Sequence, residues 1–106
     1  MKWKQDLIED VWQHTRVAPD ADASVWRQDA CGAWIRRDQF EQENAEFGWR
    51  IENVSGGGAD ILPNLRAFHV RNHFEMSSKR PHCAVTADRT DVPAGEYISP
   101  PRNRSA

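Results

Sequence analysis

Residues 48–78 read GWRIENVSGGGADILPNLRAFHVRNHFEMSS, and the order of features in this run decides the fold. Trp49, Ile51 and Asn53 alternate with Arg50, Glu52 and Val54, which is the period of two expected of a half-buried strand over residues 48–54. Gly56, Gly57 and Gly58 break the alternation and supply a loop that tolerates tight or left-handed backbone. After Pro63 and Asn64 a brief second strand is expected over residues 65–68. From residue 69 to about 76 the spacing predicts a helix, with Val70 and Phe74 on its buried side and His69 and His73 together on another. Pro81 ends the element, because proline disfavours helix in the residue before it.

Outward from this run, Trp3, Leu7 and Val11 stand four apart with Ile8 and Trp12 beside them, one apolar stripe of an amphipathic helix over residues 3–14. Such a stripe seeks its own domain first, so the helix is expected to brace the central run. Residues 15–24 carry proline, aspartate and alanine without an apolar period and read as a connection. Val25, Trp26 and Arg27 return an apolar anchor, and residues 33–37 alternate as a short strand. Residues 38–46 are acidic and read as an exposed loop or irregular turn, and residues 83–86 as one more small strand. Beyond Asp88 the chain turns polar and holds three of its six prolines, so residues 88–106 are expected to be a flexible tail behind a single domain over residues 1–87. The fold class is α+β.

At 106 residues, 39% hydrophobic and 28% charged, the chain has room for one small soluble domain with a modest core. Its net charge of −2 is unevenly spread: residues 38–52 hold five acids against one arginine, a net of −4, whereas residues 64–82 hold four cations against one acid, a net of +3. The second segment suits a phosphate partner and the first does not. Two cysteines make no disulfide framework, and Cys31 and Cys83 read as small buried hydrophobes. Neither a signal peptide nor a membrane span stands out, which gives a cytoplasmic location as the expectation.

The order strand, acid-amide pair, loop asparagine and histidine-bearing helix resembles the ββα-metal finger of HNH endonucleases. The resemblance extends to Val11-Trp12, to the run from Trp26 through Asp29-Ala30-Cys31-Gly32 to Ile35, and to Cys83-Ala84-Val85-Thr86, covering about residues 11 to 87. In that family a histidine closing the first strand takes a proton from water. A divalent metal, held by the preceding acid and by a helix residue, stabilises the leaving oxygen. The family's Gly-Trp-Glu-Ile-Asp-His-Ile run is similar to Gly48-Trp49-Arg50-Ile51-Glu52-Asn53-Val54 here.

The resemblance thus implies Glu52 and His73 as ligands of Mg2+, Mn2+ or Zn2+, Asn64 as the loop asparagine, and Asn53 at the position of the general base. An amide accepts no proton near neutral pH, and a lost general base costs about 10²- to 10⁴-fold in rate. Arg50 replaces an acid beside this site and favours phosphate over a cation. Arg66, Arg71, Lys79 and Arg80 are the expected contacts to a nucleic-acid backbone, DNA above all. His69, one turn before His73 in the expected helix, offers an alternative ligand. Of the cysteine pairs that hold zinc-bearing members together, only Cys31 remains, with Gln28, His69 and Asn72 at the other positions. Three functions stay open: nucleic-acid binding with impaired or absent cleavage, an active metal-dependent endonuclease, and a structural or protein-binding descendant of the fold.

Overall fold

The structure, a computed structural model, describes residues 2–90 and 101–106. The described residues form one α-helix, α1 (Gln5–Gln13), two single 3-10 turns between strands, and eight short strands. These are β1 (Trp26–Gln28), β2 (Trp34–Arg36), β3 (Trp49–Asn53), β4 (Leu65–His69), β5 (His73–Glu75), β6 (Arg80–His82), β7 (Val85–Ala87) and β8 (Asn103–Ser105). They pair in sequence order as four separate antiparallel ribbons, β1 with β2, β3 with β4, β5 with β6 and β7 with β8. One helix and small antiparallel sheets make this an α+β domain.

The apolar stripe of α1 does what its spacing predicts. Ile8, Val11 and Trp12 are buried, and with Trp3 they form one cluster with Ile35, Trp49, Ile51, Leu65 and Ala67. Alternation along β3 and β4 aims those last four residues at the helix, in a register that sets Trp49 opposite His69 and Glu52 opposite Arg66. The Trp12 and Trp49 rings lie 5.3 Å apart, and Phe40 meets Trp49 edge-on at 4.7 Å. A second cluster gathers Trp26, Phe47 and Ala87 around Ala18 and Trp34. The indole N–H groups of Trp12, Trp34 and Trp49 are buried without a partner among the described residues. Each such donor costs about 1–3 kcal/mol. Burying a tryptophan ring contributes about 4–6 kcal/mol at 25 cal/mol per Å2, so packing outweighs the lost bond. Gly48 is sterically obligatory, since a Cβ there would stand 2.1 Å from the Gln42 carbonyl oxygen.

Three expectations are corrected. Residues 69–76 are not a helix: β4 ends at His69, a tight turn closed by the Asn72 N–H on the His69 carbonyl follows, and the chain leaves as β5. A helix this short is marginal alone and needs a buried stripe to hold it. Here Val70 and Phe74 are only half-buried, and the groups that would close the helix are captured elsewhere. Asp29 accepts the His69 N–H, while the Arg50 guanidinium donates to the carbonyls of Val70 and Asn72 at 2.7 and 2.6 Å.

Secondly, Cys31 and Cys83 are joined in a disulfide, with Cys83 exposed and Cys31 half-buried. Such bonds form and persist in oxidising compartments, so the structure lends no support to the expected cytoplasmic location. No described helix is long and apolar enough to cross a membrane.

Thirdly, the last residues are docked. β8 pairs with β7, Pro101 is buried, and the Asn103 side chain exchanges two hydrogen bonds with the Trp34 backbone at 2.7 and 3.0 Å. The rest of the expected tail, residues 91–100, lies outside the described residues.

Candidate functional site

β3 carries the two residues at the centre of the sequence reading. Glu52 and Arg50 lie on the same side of the strand, and the arginine Nε and one terminal nitrogen both stand 3.0 Å from the Glu52 Oε2. The other carboxylate oxygen accepts the Phe74 N–H at 2.9 Å. Glu52 therefore ties β3 to the start of β5, and Arg50 ties it to the turn before β5. The carboxylate is already neutralised, so a divalent cation would have to displace a guanidinium held by two further carbonyls. These residues do not fit the implied metal.

Asn53 is the organiser of the loop after β3. Its amide nitrogen stands 3.0 Å from the carbonyls of Gly58 and Ala59 and from Asp60 Oδ1, and its oxygen accepts the Ser55 N–H at 2.9 Å. Asn64 works from the other end, donating to the Ala59 carbonyl at 2.9 Å. Both asparagines bind the same carbonyl, and together they set the shape of residues 54–64. This is an Asx-type capping role.

The two histidines part company. His69, 2% exposed, directs Nε2 to the Glu46 carbonyl at 2.7 Å and accepts the Arg71 N–H on Nδ1, which fixes the neutral tautomer with its proton on Nε2. No ring nitrogen is left for a metal. His73 stands on β5, half-exposed, opposite His82. Among the described residues no group of three or more His, Cys, Asp or Glu side chains is arranged around a common ion position.

The expected phosphate contacts split in the same way. Arg50 is engaged internally, but Arg66, Arg71, Lys79 and Arg80 are all exposed, and none forms a salt bridge among the described residues. Arg66 leans back on the carbonyls of Pro63 and Leu65. Lys79 sits in the β5–β6 turn with φ at 58°, its Nζ 3.2 Å from where a Cβ on Gly56 would be. The glycine loop and this turn are thus neighbours in space, which the sequence order alone did not indicate.

Sequence reasoning missed the polar centre of the domain. Asp29 is 1% exposed, and its carboxylate accepts four N–H groups at 2.9 Å, those of Cys31, Ala33 and His69 and the Asn72 side-chain amide. Asn72, fully buried, also donates to the Val85 carbonyl and accepts from the N–H groups of Ala84 and Val85. This pair joins the β1–β2 turn, the end of β4 and the start of β7. The available signal was Asp29 at the first position of a four-residue turn ending in Gly32, where aspartate and glycine are favoured. Arg27 plays a parallel part, 7% exposed, donating to the carbonyls of Trp12, Gln13 and Thr15 at the C-terminus of α1. Desolvation by burial lowers its pKa from the usual arginine value, yet a cation there complements the helix dipole.

A cleft of about 560 Å3 between α1 and residues 36–40 is floored by Ile8, Trp12, Phe40 and Trp49 and rimmed by the Glu9–Arg37 and Arg36–Asp38 ion pairs. Glu52, Asn53 and His73 take no part in it. No family model, no curated protein and no solved structure matches this chain.

Proposed function

We propose that this domain binds nucleic-acid backbone, DNA in preference, without cleaving it, on a β-hairpin descended from that of the HNH endonucleases. One observation carries the reading: Glu52 and Asn53, at the positions of metal ligand and general base, are fully engaged in holding the fold, while Arg66, Arg71, Lys79 and Arg80 remain exposed and unpaired among the described residues. An amide bound on both ends activates no water, and exposed guanidinium and ammonium groups on short ribbons suit phosphates without reading bases. With a whole-chain charge of −2, long-range attraction to a polyanion is weak, so binding belongs to low salt.

Anisotropy of a labelled DNA duplex tests this. Four phosphate contacts give a slope of about −3.6 in log K against log salt, so a fourfold rise in salt weakens binding by about 10²-fold. Replacing Lys79 and Arg80 together by alanine reduces that slope by about 2. Absence of binding at low salt, or a slope indifferent to those replacements, overturns the binding half. Plasmid nicking with Mg2+ or Mn2+ that disappears in Glu52→Ala overturns the non-cleaving half and restores the endonuclease reading.

A further inference from the structure

The β5–β6 ribbon brings together two side chains that stand nine positions apart. His73 and His82 are cross-strand partners, so their side chains leave the ribbon on the same face, with ring centroids 4.9 Å apart and ring planes inclined by 28°. Glu75, two residues along β5, shares that face, and its Oε2 lies 3.5 Å from His73 Nε2. Both strands are open to solvent: His73 and Glu75 are each 45% exposed at the side chain, and every residue of β6 is exposed.

A stacked pair of imidazoles at this separation has no strong cohesion of its own. Arg80 stands opposite Glu75 on the same face. Neither ring is buried, so each imidazole keeps a nitrogen within reach of an ion from solvent, with the Glu75 carboxylate beside His73. That is the donor chemistry of a late first-row metal ion, for which imidazole is a preferred ligand and to which nitrogen binds at about 2.0–2.1 Å.

We infer that His73 and His82 form a two-histidine chelate for Cu2+, Ni2+ or Zn2+ across the β5–β6 ribbon, with water completing the coordination. Rotation of the two rings about their side-chain bonds brings one nitrogen of each to a shared ion, and an exposed ribbon leaves those rotations free. The site uses His73 with a partner other than the Glu52 implied by family resemblance. It also stands independently of the nucleic-acid reading. An ion here cross-links the ribbon that presents Lys79 and Arg80. Copper binds most tightly of the three, following the general order for nitrogen sites.

Zinc titration of the untagged protein, followed through the ring protons of its four histidines, tests the inference. His73 and His82 shift together and saturate, while His14 and the buried His69 stay in place. His73→Ala and His82→Ala each raise the dissociation constant at least about tenfold, since even groups that only support a ligand cost 10- to 100-fold. His14→Ala and Glu52→Gln leave it unchanged. Zinc raises the melting temperature of the native chain and not that of His82→Ala. Shifts centred on His14, native affinity in either histidine variant, loss of binding in Glu52→Gln alone, or no saturable binding of any of the three ions overturns it. Because the ring-proton titration is made on the native sequence, a variant that folds poorly does not decide the outcome.

Discussion

Removing the Cys31–Cys83 bond is the perturbation whose size follows most directly from the structure. The two cysteines are 52 positions apart. Cross-linking a loop of that length removes about 14 cal/mol/K of entropy from the unfolded chain, or about 4 kcal/mol at room temperature. A domain of this size has about 5–15 kcal/mol in total, so the bond supplies a large share of it. The native contacts around it do not cushion the loss, because the effect lies in the unfolded ensemble. Asp29 and Asn72 hold the same segments together, so a folded reduced state still exists. The assay is urea unfolding of the native chain and of a Cys31→Ala, Cys83→Ala double variant. With a urea slope of about 1.5 kcal/mol per molar, the midpoint falls by about 2–3 M. The exposed Cys83 makes the bond open to reductant, so adding thiol to the native chain produces the same fall. A midpoint that moves by less than about 0.5 M, in either experiment, refutes the reasoning.

Asp29→Ala leaves four N–H groups, three of them in buried bonds, without their acceptor and costs at least about 3 kcal/mol, measurable as a lower urea midpoint; a loss under about 1 kcal/mol would show the carboxylate is replaceable by water. Asn53→His brings an imidazole to the position that the resemblance assigns to a general base but removes the amide's exposed loop bonds, so it costs about 0.5–1.5 kcal/mol and gains no plasmid nicking with Mg2+ or Mn2+; appearance of nicking would show that a histidine is the one missing part. Glu9 and Asp20 are held below their ordinary values of 4.5 and 3.8, first of all by hydrogen bonds from Arg37 and Arg89. A depressed carboxylate stabilises the fold above its unfolded pKa, so stability is lost as the pH falls through about 4 and below. Arg37→Ala flattens that loss in urea midpoints taken between pH 5 and pH 3, and an unchanged acid limb would rule out the pair's contribution.

The elements with a clear period were legible in sequence. The stripe in α1, the alternation of β3 and the short β4 each bury one face, and a buried face imposes a pattern that a reader of residues can find. Residues 69–76 were not legible for the opposite reason. They bury no apolar side chain fully, and their conformation is set by side chains far off in the chain: Asp29 holds the turn from 40 and 43 positions away, and Arg50 from 20 and 22. Spacing within the run carries no trace of those bonds. The disulfide was hidden similarly, since two cysteines 52 apart carry no mark of proximity until the Asp29–Asn72 centre brings the β1–β2 turn and the start of β7 together.

The same distant bonds explain why residue types suited to catalysis carry so little freedom here. A carboxylate that works on a metal or a proton needs an open coordination position, whereas Glu52 has one oxygen on a backbone N–H and the other on Arg50. Arg50 in turn is fixed by two carbonyls of the turn that replaces the expected helix. The expected helix and an open carboxylate are therefore absent together: a helix here would take the Val70 and Asn72 carbonyls into internal bonds, release Arg50, and uncover Glu52. Arg50 is the hinge of that exchange, because its guanidinium bonds both the carboxylate and the turn. A single substitution at Asn53 leaves this coupling in place, which is why a histidine introduced at that position is expected to find no metal-bound water to act on.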